Sequence, residues 1–308
     1  MIVVPRARSG ARLDRFLAEE TGVSRSELQR WIAAGRVKVD GAPREASGRV
    51  KEGETVAVEP MAPPTTEAKA EEGIAFEVMH VDEAVVVVNK PAGLVVHPAK
   101  GHATGTLVNG LLARGYFAAG EEEHERPGIV HRLDKGTSGV MVVARTPQAR
   151  EALVAQFRAH TIERAYRAVV AGVAKDATHA TLHGRHPRDR LRFTTRVATG
   201  RRAVTHVRVL EALGAATLVE CTLETGRTHQ IRVHLAESGT PVLGDPLYGK
   251  PPRDPLLRAE ADRLGHQALH ARVLGFVHPT SGATERYVAE PPADFDRLLA
   301  ALRERAHA

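Results

Sequence analysis

The sequence of 308 residues contains a single cysteine, Cys221. One thiol cannot form a disulfide framework within a chain, which suits a reducing compartment. Cys221 lies in the run Leu218-Val219-Glu220-Cys221-Thr222-Leu223 and reads as a small, buried strand residue. Long hydrophobic runs are also missing. Stretches such as Ala84 to Val88 fall far short of the roughly 18 apolar residues of a membrane helix. Met1 to Leu17 carries four arginines and Asp14, with no apolar core of secretory-signal length. A soluble, cytoplasmic protein without membrane contact is the expectation. No G-x-x-x-x-G-K-[ST] string occurs, and no G-x-G-x-x-G opens a helix after a strand. Nothing here therefore cradles a nucleotide phosphate in either of those ways.

Metal-ligand patterns are thin. His229 and His234 are five apart, and His266 and His270 are four apart with Asp262 nearby. The second pair has the spacing of a zinc helix, but Gln267-Ala268-Leu269 between them lacks a glutamate base. Neither a metal nor another cofactor is expected.

Charge and apolar content are what the chain does have. The formal net charge is +6, with a pI near 9.7. This balance favours polyanionic partners and fast encounter with them. Apolar residues make up 43% of the sequence, enough for a substantial core, and the length suits one large domain plus a small one.

Residues 1–59 read as the small domain. Leu13, Phe16 and Leu17 give Arg12 to Thr21 one apolar helical face. Ser24-Arg25-Ser26-Glu27 is a capping box that opens a second helix, with Leu28, Trp31 and Ile32 inward and Gly35 as its stop. Arg36 to Val39 alternates like a strand, Asp40-Gly41 signals a hairpin, and Thr55 to Val58 closes the unit. Positions 5 to 38 hold eight Lys/Arg against four Asp/Glu. Residues 60–73 read as a mobile linker, with Pro60, Pro63 and Pro64 and almost no large apolar side chain. From about Ile74 to residue 308, strand candidates are Ala84–Asn89, Val140–Ala144, Ala165–Val170, Val204–Leu210, Thr217–Leu223 and Leu269–Phe276. Helices are expected from Thr146-Pro147, with Leu153, Val154 and Phe157 buried, and from His229 to Ser238. Helices do not separate the strands evenly, so the fold class is α+β, with a mixed, mainly antiparallel sheet.

The most informative stretch is His131-Arg132-Leu133-Asp134-Lys135-Gly136-Thr137-Ser138-Gly139. A short polar loop between two strands carries one carboxylate flanked by two cations, a setting for an aspartate kept ionised and aimed at a substrate. An Asp before Lys-Gly can equally be a turn residue bonding its own backbone. The string resembles the catalytic-aspartate motif of the RluA-type pseudouridine synthases. Further stretches resemble that family in the same order along the chain. They are Asn89 to Pro98, Glu163-Arg164-Ala165-Tyr166-Arg167-Ala168-Val169, Leu223 to His234 (LETGRTHQIRVH), Gly244-Asp245-Pro246-Leu247-Tyr248-Gly249 and Gln267-Ala268-Leu269-His270-Ala271. Gly136 stands where the family often has an acidic residue and Val140 where it often has Leu. The small domain, two helices followed by a hairpin with Arg25, Arg30, Arg36 and Lys38 around them, resembles the S4 RNA-binding domain.

The resemblance implies an isomerase that converts uridine to pseudouridine in RNA without a cofactor. Its substrate would be large-subunit ribosomal RNA, free or in pre-50S particles, and the monomer is the default state. Asp134 is implied as the catalytic residue and Arg227 as its partner, since a guanidinium keeps a buried carboxylate charged. Tyr166 would pack on the extruded uracil, Arg132 would fill the vacated space or grip a phosphate, and Ile231 would floor the pocket. Each has a plainer reading. Tyr166 can be core packing, Arg132 a surface arginine, Ile231 a helix core residue, and Arg227 an arginine bonding local carbonyls at a helix start. His229, Gln230 and Arg232 are further RNA-contact candidates in the third motif. Two other functions compete with the isomerase. One is an RNA-binding assembly factor without activity, and the other is an aspartate-dependent hydrolase or phosphoryl-transfer enzyme, which would need metal carboxylates or a phosphate loop. A synthase of the same family acting on other ribosomal or transfer RNA sites is a further alternative.

Overall fold

The computed structural model describes residues 1–61, 68–98, 104–118, 121 and 126–306. The chain divides into two compact units, Met1–Thr65 and Thr66–Ala308.

The first unit contains β1 (Ile2–Val3), a short 3-10 turn (Arg6–Arg8), α1 (Leu13–Thr21), α2 (Arg25–Ala33), β2 (Val37–Val39), β3 (Ala42–Pro43) and β4 (Thr55–Val58). Its sheet has the order β1-β4-β2-β3. The Ser24 side chain accepts from the Glu27 amide and so caps α2. Asp40 and Gly41 both take positive φ, 49° and 79°, as a two-residue hairpin of this twist requires. Leu13, Phe16, Leu17, Leu28, Trp31 and Ile32 from the helices close over Val37, Val39 and Val56 from the sheet.

Both ends of the expected linker are tied down within their own units. Met61 packs against the first unit's core. Beyond it, the Asn109 side chain donates to the Lys69 carbonyl at 2.7 Å, and the Glu71 amide donates to the Asn109 carbonyl at 3.1 Å. Pro63 and Pro64 lie outside the described residues.

The second unit runs β5 (Glu77–Val81), β6 (Val85–Lys90), α3 (Leu107–Ala113), β7 (Ser138–Ala144), α4 (Pro147–Ala159), β8 (Glu163–Ala171), β9 (Ala177–Arg185), β10 (Phe193–Thr194), β11 (Arg201–Leu213), β12 (Ala216–Leu223), α5 (Gln230–Glu237), α6 (Pro255–Leu264), β13 (Leu269–Val277), β14 (Thr284–Val288) and α7 (Ala293–Ala306). Its ten strands form one sheet in the order β10-β9-β11-β12-β8-β13-β7-β6-β5, with β14 also on β13. Every pairing among these strands is antiparallel except β13 with β7. The fold is thus α+β with a mixed, mainly antiparallel sheet.

Alternation on β6 and β7 explains their unbroken apolar character. Val85, Val87, Val140 and Val142 face Leu153 of α4, while Val86, Val88, Met141 and Val143 face Leu107 and Leu111 of α3. Strands covered on both sides need apolar residues at every position. Farther along the sheet, Val169, Val219 and Leu269 pack under Leu235 of α5, Leu257 of α6 and Phe295, Leu298 and Leu302 of α7. Strands β7, β8 and β13 meet near the middle of the sheet, and the Asp134 loop leads directly into β7.

Candidate active site

The Asp134 loop is shaped by residues distant in sequence. Lys90 is fully buried, and its ammonium donates to the carbonyls of Pro91 at 2.9 Å, Leu94 at 2.8 Å and Lys135 at 3.3 Å. Burial pushes the Lys90 pKa down to about 7, against the opposing pull of Asp134. The Gly93 amide donates to the same Lys135 carbonyl at 2.8 Å. On the other side, Gln267 Nε2 donates to Thr137 Oγ1 at 3.0 Å, and Ser138 Oγ lies 2.9 Å from His270 Nδ1. A Cβ on Gly136 would meet Gln267 Oε1 at 2.3 Å, so a larger residue there requires the Gln267 side chain to shift. Leu133 points inward and is buried, and Arg132 is exposed. Asp134 is left facing a cavity.

Arg232, on the first turn of α5, holds that carboxylate. Its Nη1 donates to Asp134 Oδ2 at 2.8 Å, while Nε and Nη2 fork onto buried Asp245 at 2.7 and 2.9 Å. Burial works against the guanidinium's charge, yet Asp245 and Asp134 together raise its pKa above the usual arginine value. Asp245 also accepts from the amides of Leu247 and Tyr248 at 2.8 and 3.0 Å. The Tyr248 hydroxyl accepts from the Phe193 amide at 2.9 Å and lies 2.8 Å from His229 Nδ1. His229 Nε2 returns to within 3.8 Å of Asp134 Oδ1. His229 caps α5 with a left-handed φ of 59°, a conformation uncommon for a residue with a side chain. A closed circuit of side chains thus surrounds the Asp134 carboxylate.

The cavity has a volume of about 580 Å³. Tyr166, Ile231, Leu223 and Leu269 give it an apolar wall, and Arg132, Arg164, Arg227 and Arg232 a cationic one. Asp134 is the sole carboxylate among its lining residues. Burial raises the Tyr166 pKa, with Asp134 adding to the effect, so its hydroxyl stays neutral. An accessible carboxylate held by one buried arginine beside an apolar, aromatic wall is equipped to act on a neutral, flat ring brought to it.

A family model described as RNA pseudouridylate synthase matches residues 84–237. The chain belongs to that family. An S4 domain model matches residues 11–56. The ribosomal large subunit pseudouridine synthase D of Xanthomonas campestris pv. campestris is 48% identical over 98% of this chain and 92% of its own. A protein of the same name from Neisseria meningitidis serogroup A is 45% identical over 98% of this chain and 81% of its own. Among solved structures, human RNA pseudouridylate synthase domain containing 4 superposes with a TM-score of 0.56 at 27% identity, over 74% of this chain and 93% of that one. Membership makes the chain an RNA pseudouridine synthase and favours the enzyme over the inactive assembly factor.

Within this pseudouridine synthase, the expected site residues separate into three groups. Asp134, Arg132, Tyr166, Arg227, His229 and Ile231 all line the cavity. Arg227 does not pair with Asp134, contrary to expectation. Its Nε donates to the Arg202 carbonyl at 3.0 Å, and Arg232 takes the aspartate. Gln230 and Arg232, expected to touch RNA, also line the cavity, but both are buried and their side chains are engaged within the protein. Gln230 holds the start of α5 through Thr225, Val204 and Thr205. In the first unit, Arg25 pairs with Asp14 at 2.8 Å and Arg36 with Glu59 at 3.0 Å, Arg30 lies 3.8 Å from Glu27, and Lys38 is exposed on β2. The histidines weighed as metal ligands have other partners: His266 meets Asp294, His270 meets Ser138 and the Ala289 carbonyl, and His234 meets Thr181 and Thr205. Lys90, Asp245, Tyr248 and Gln267 carry no site signal of their own in the sequence, although each stands in a stretch that resembles the family, and His270 was weighed only as a metal ligand. The trace they do leave is a polar residue inside an otherwise apolar or glycine-bounded motif.

Proposed function

We propose that this enzyme isomerises specific uridines in large-subunit ribosomal RNA, with Asp134 as its catalytic residue. The observation that carries the reading is the Asp134 carboxylate, held at 2.8 Å by buried Arg232 and open to the cavity. The names of the relatives support the choice of RNA. In the reaction the bond from uracil N1 to the ribose breaks and a bond from C5 to the same ribose carbon forms. The C5 proton leaves and N1 gains one, so no oxidant or water is consumed. The target must leave its stack, at a cost of a few kcal/mol. Tyr166 would pack on the extruded ring and Arg132, at the rim, would occupy the space left behind. The first unit would add RNA affinity through Arg25, Arg30, Arg36 and Lys38, and the enzyme would act as a cytoplasmic monomer on free RNA or pre-50S particles. No helix among the described residues is long and apolar enough to cross a membrane.

The test is tritium release from large-subunit ribosomal RNA labelled at C5 of uridine, in chelator, with wild type beside Asp134→Asn. Release by the wild type alone is the expected result. Turnover by a pure Asp134→Asn sample would remove the catalytic role of Asp134, and a wild type that releases tritium only from transfer RNA would overturn the substrate.

A further inference from the structure

Arg164 takes no part in the circuit around Asp134, yet it is only 7% exposed. It stands on β8 two residues before Tyr166, and both line the cavity, as residues i and i+2 of a strand share a face. Its Nη2 donates to the Glu224 carbonyl at 3.0 Å. Its Nε is buried and has no hydrogen-bond partner. Its only aromatic contact among the described residues is the Phe157 ring, 5.6 Å away. No carboxylate among the described residues pairs with it. Arg227 also has no carboxylate partner among the described residues, where the one hydrogen bond of its side chain goes to the Arg202 carbonyl. The two cations are neighbours: burial first, and then Arg227, acts to push the Arg164 pKa down. The loop between them leaves room for this, because a Cβ on Gly226 would meet Arg164 Nη1 at 2.6 Å.

A buried charge without a counter-charge is costly, and a buried polar atom without a partner calls for an explanation. The cavity supplies no local counter-charge, since its sole carboxylate is engaged by Arg232. Two guanidiniums facing one cavity wall lack a local anion, and arginine's planar fork suits a phosphate, the anion that an RNA strand carries. A strand step of two residues covers about 7 Å. A uracil against Tyr166 therefore leaves its own sugar-phosphate within reach of Arg164.

We propose that Arg164 and Arg227 form an anion subsite that receives a phosphodiester next to the extruded uridine. The subsite rests on the reading of the cavity as a uridine pocket. It fixes the strand's position along the cavity by charge, while the apolar wall receives the base. Arg164 contacts substrate in this arrangement, and no other residue is needed to transmit its effect.

The experiment compares uridine with uridine 3′-monophosphate and 5′-monophosphate as ligands of the full chain, by NMR titration. Wild type should bind one or both phosphates at least about tenfold more tightly than uridine, equivalent to about 1.4 kcal/mol. Arg164→Met should lose that preference, and Arg164→Lys should keep part of it. Arg164→Met should also melt no lower than wild type, because removing an unpaired buried charge does not destabilise. Equal binding of uridine and both monophosphates by wild type would overturn the subsite. So would an Arg164→Met protein that melts lower yet keeps the phosphate preference, which would make Arg164 a clamp for the Glu224 loop. These titrations need no turnover, so loss of the subsite and loss of the isomerase reading show up in separate measurements.

Discussion

Each of the two units carries a carboxylate ringed by arginine, and the arrangements are inverted. In the first unit the Asp14 side chain is 0% exposed, while its partners Arg12 and Arg25 are 45% and 54% exposed. In the second unit Arg232 is the hidden partner at 6%, and the Asp134 side chain is 19% exposed. The first pattern fixes cations at a surface, as a polyanion-binding face requires. The second fixes one carboxylate at a cavity, as chemistry on a bound ring requires. The two ion pairs thus differ in which member is withdrawn from solvent, the carboxylate in the first unit and the arginine in the second. The supporting layer differs too. Gln29 Nε2 joins Arg12 and Arg25 on Asp14, at 2.6 Å, whereas a second buried carboxylate, Asp245, stands behind Arg232.

Acid should separate the units most strongly. All 16 histidines lie at His80 or beyond, so the first unit has none. Burial pushes His131 down to about 3, with Arg164 adding to it, and burial pushes His97 and His234 down to about 4. Their folded values lie below the unfolded value of about 6.5. The stability they allow is complete above that value and is lost as pH falls toward the folded ones. Each contributes a slope of about 1.4 kcal/mol per pH unit near pH 5, and the three together about 4. Asp14 behaves differently. Arg12 foremost, then Arg25 and Gln29, hold its pKa well below the usual carboxylate range despite burial. The stability it adds is lost only as pH falls below about 4. Trp31 is the sole tryptophan and lies in the first unit's core, so its emission reports on that unit alone. Circular dichroism should change at a higher pH than Trp31 emission. Coincident transitions would erase this contrast between the units.

Arg232→Met comes next in size. It strands two carboxylates, one fully buried, and should cost about 3–5 kcal/mol along with all measurable isomerisation. Thermal melting and tritium release check this, and a variant that melts like wild type would refute the stabilising role of the pair. Asp14→Asn should be milder, lowering the first unit's stability by about 1–3 kcal/mol. Urea unfolding followed by Trp31 emission measures it. No loss would mean that Asp14 serves only to orient the arginines.

The Asp134 loop, the capped α2, the β6 and β7 runs and the fold class were all legible from local pattern. The identity of the aspartate's partner was not. Arg227 and Arg232 sit in one motif, and the choice between them is made by Asp245 and by the backbone turn at His229, neither of which has a periodic signature. The burial of Arg232 did leave a trace, since it falls between Ile231 and Val233 in a helix with buried neighbours throughout its first turns. Strand β9 was missed because Ala177–Arg185 is polar along most of its length and only partly buried. Helix α7 was missed although Phe295, Leu298, Leu299 and Leu302 mark its buried face plainly.

The ties that shape the Asp134 loop have a bearing on when the enzyme becomes competent during its own synthesis. Asp134 emerges from the ribosome well before Arg232, Gln267 and His270. At about 5–20 residues per second, the stretch up to His270 takes on the order of 7–30 s to translate. Through that interval the nascent chain carries the aspartate without its arginine and the loop without its struts. A ribosome translating this protein therefore carries no completed Asp134 loop until the chain has been made past His270.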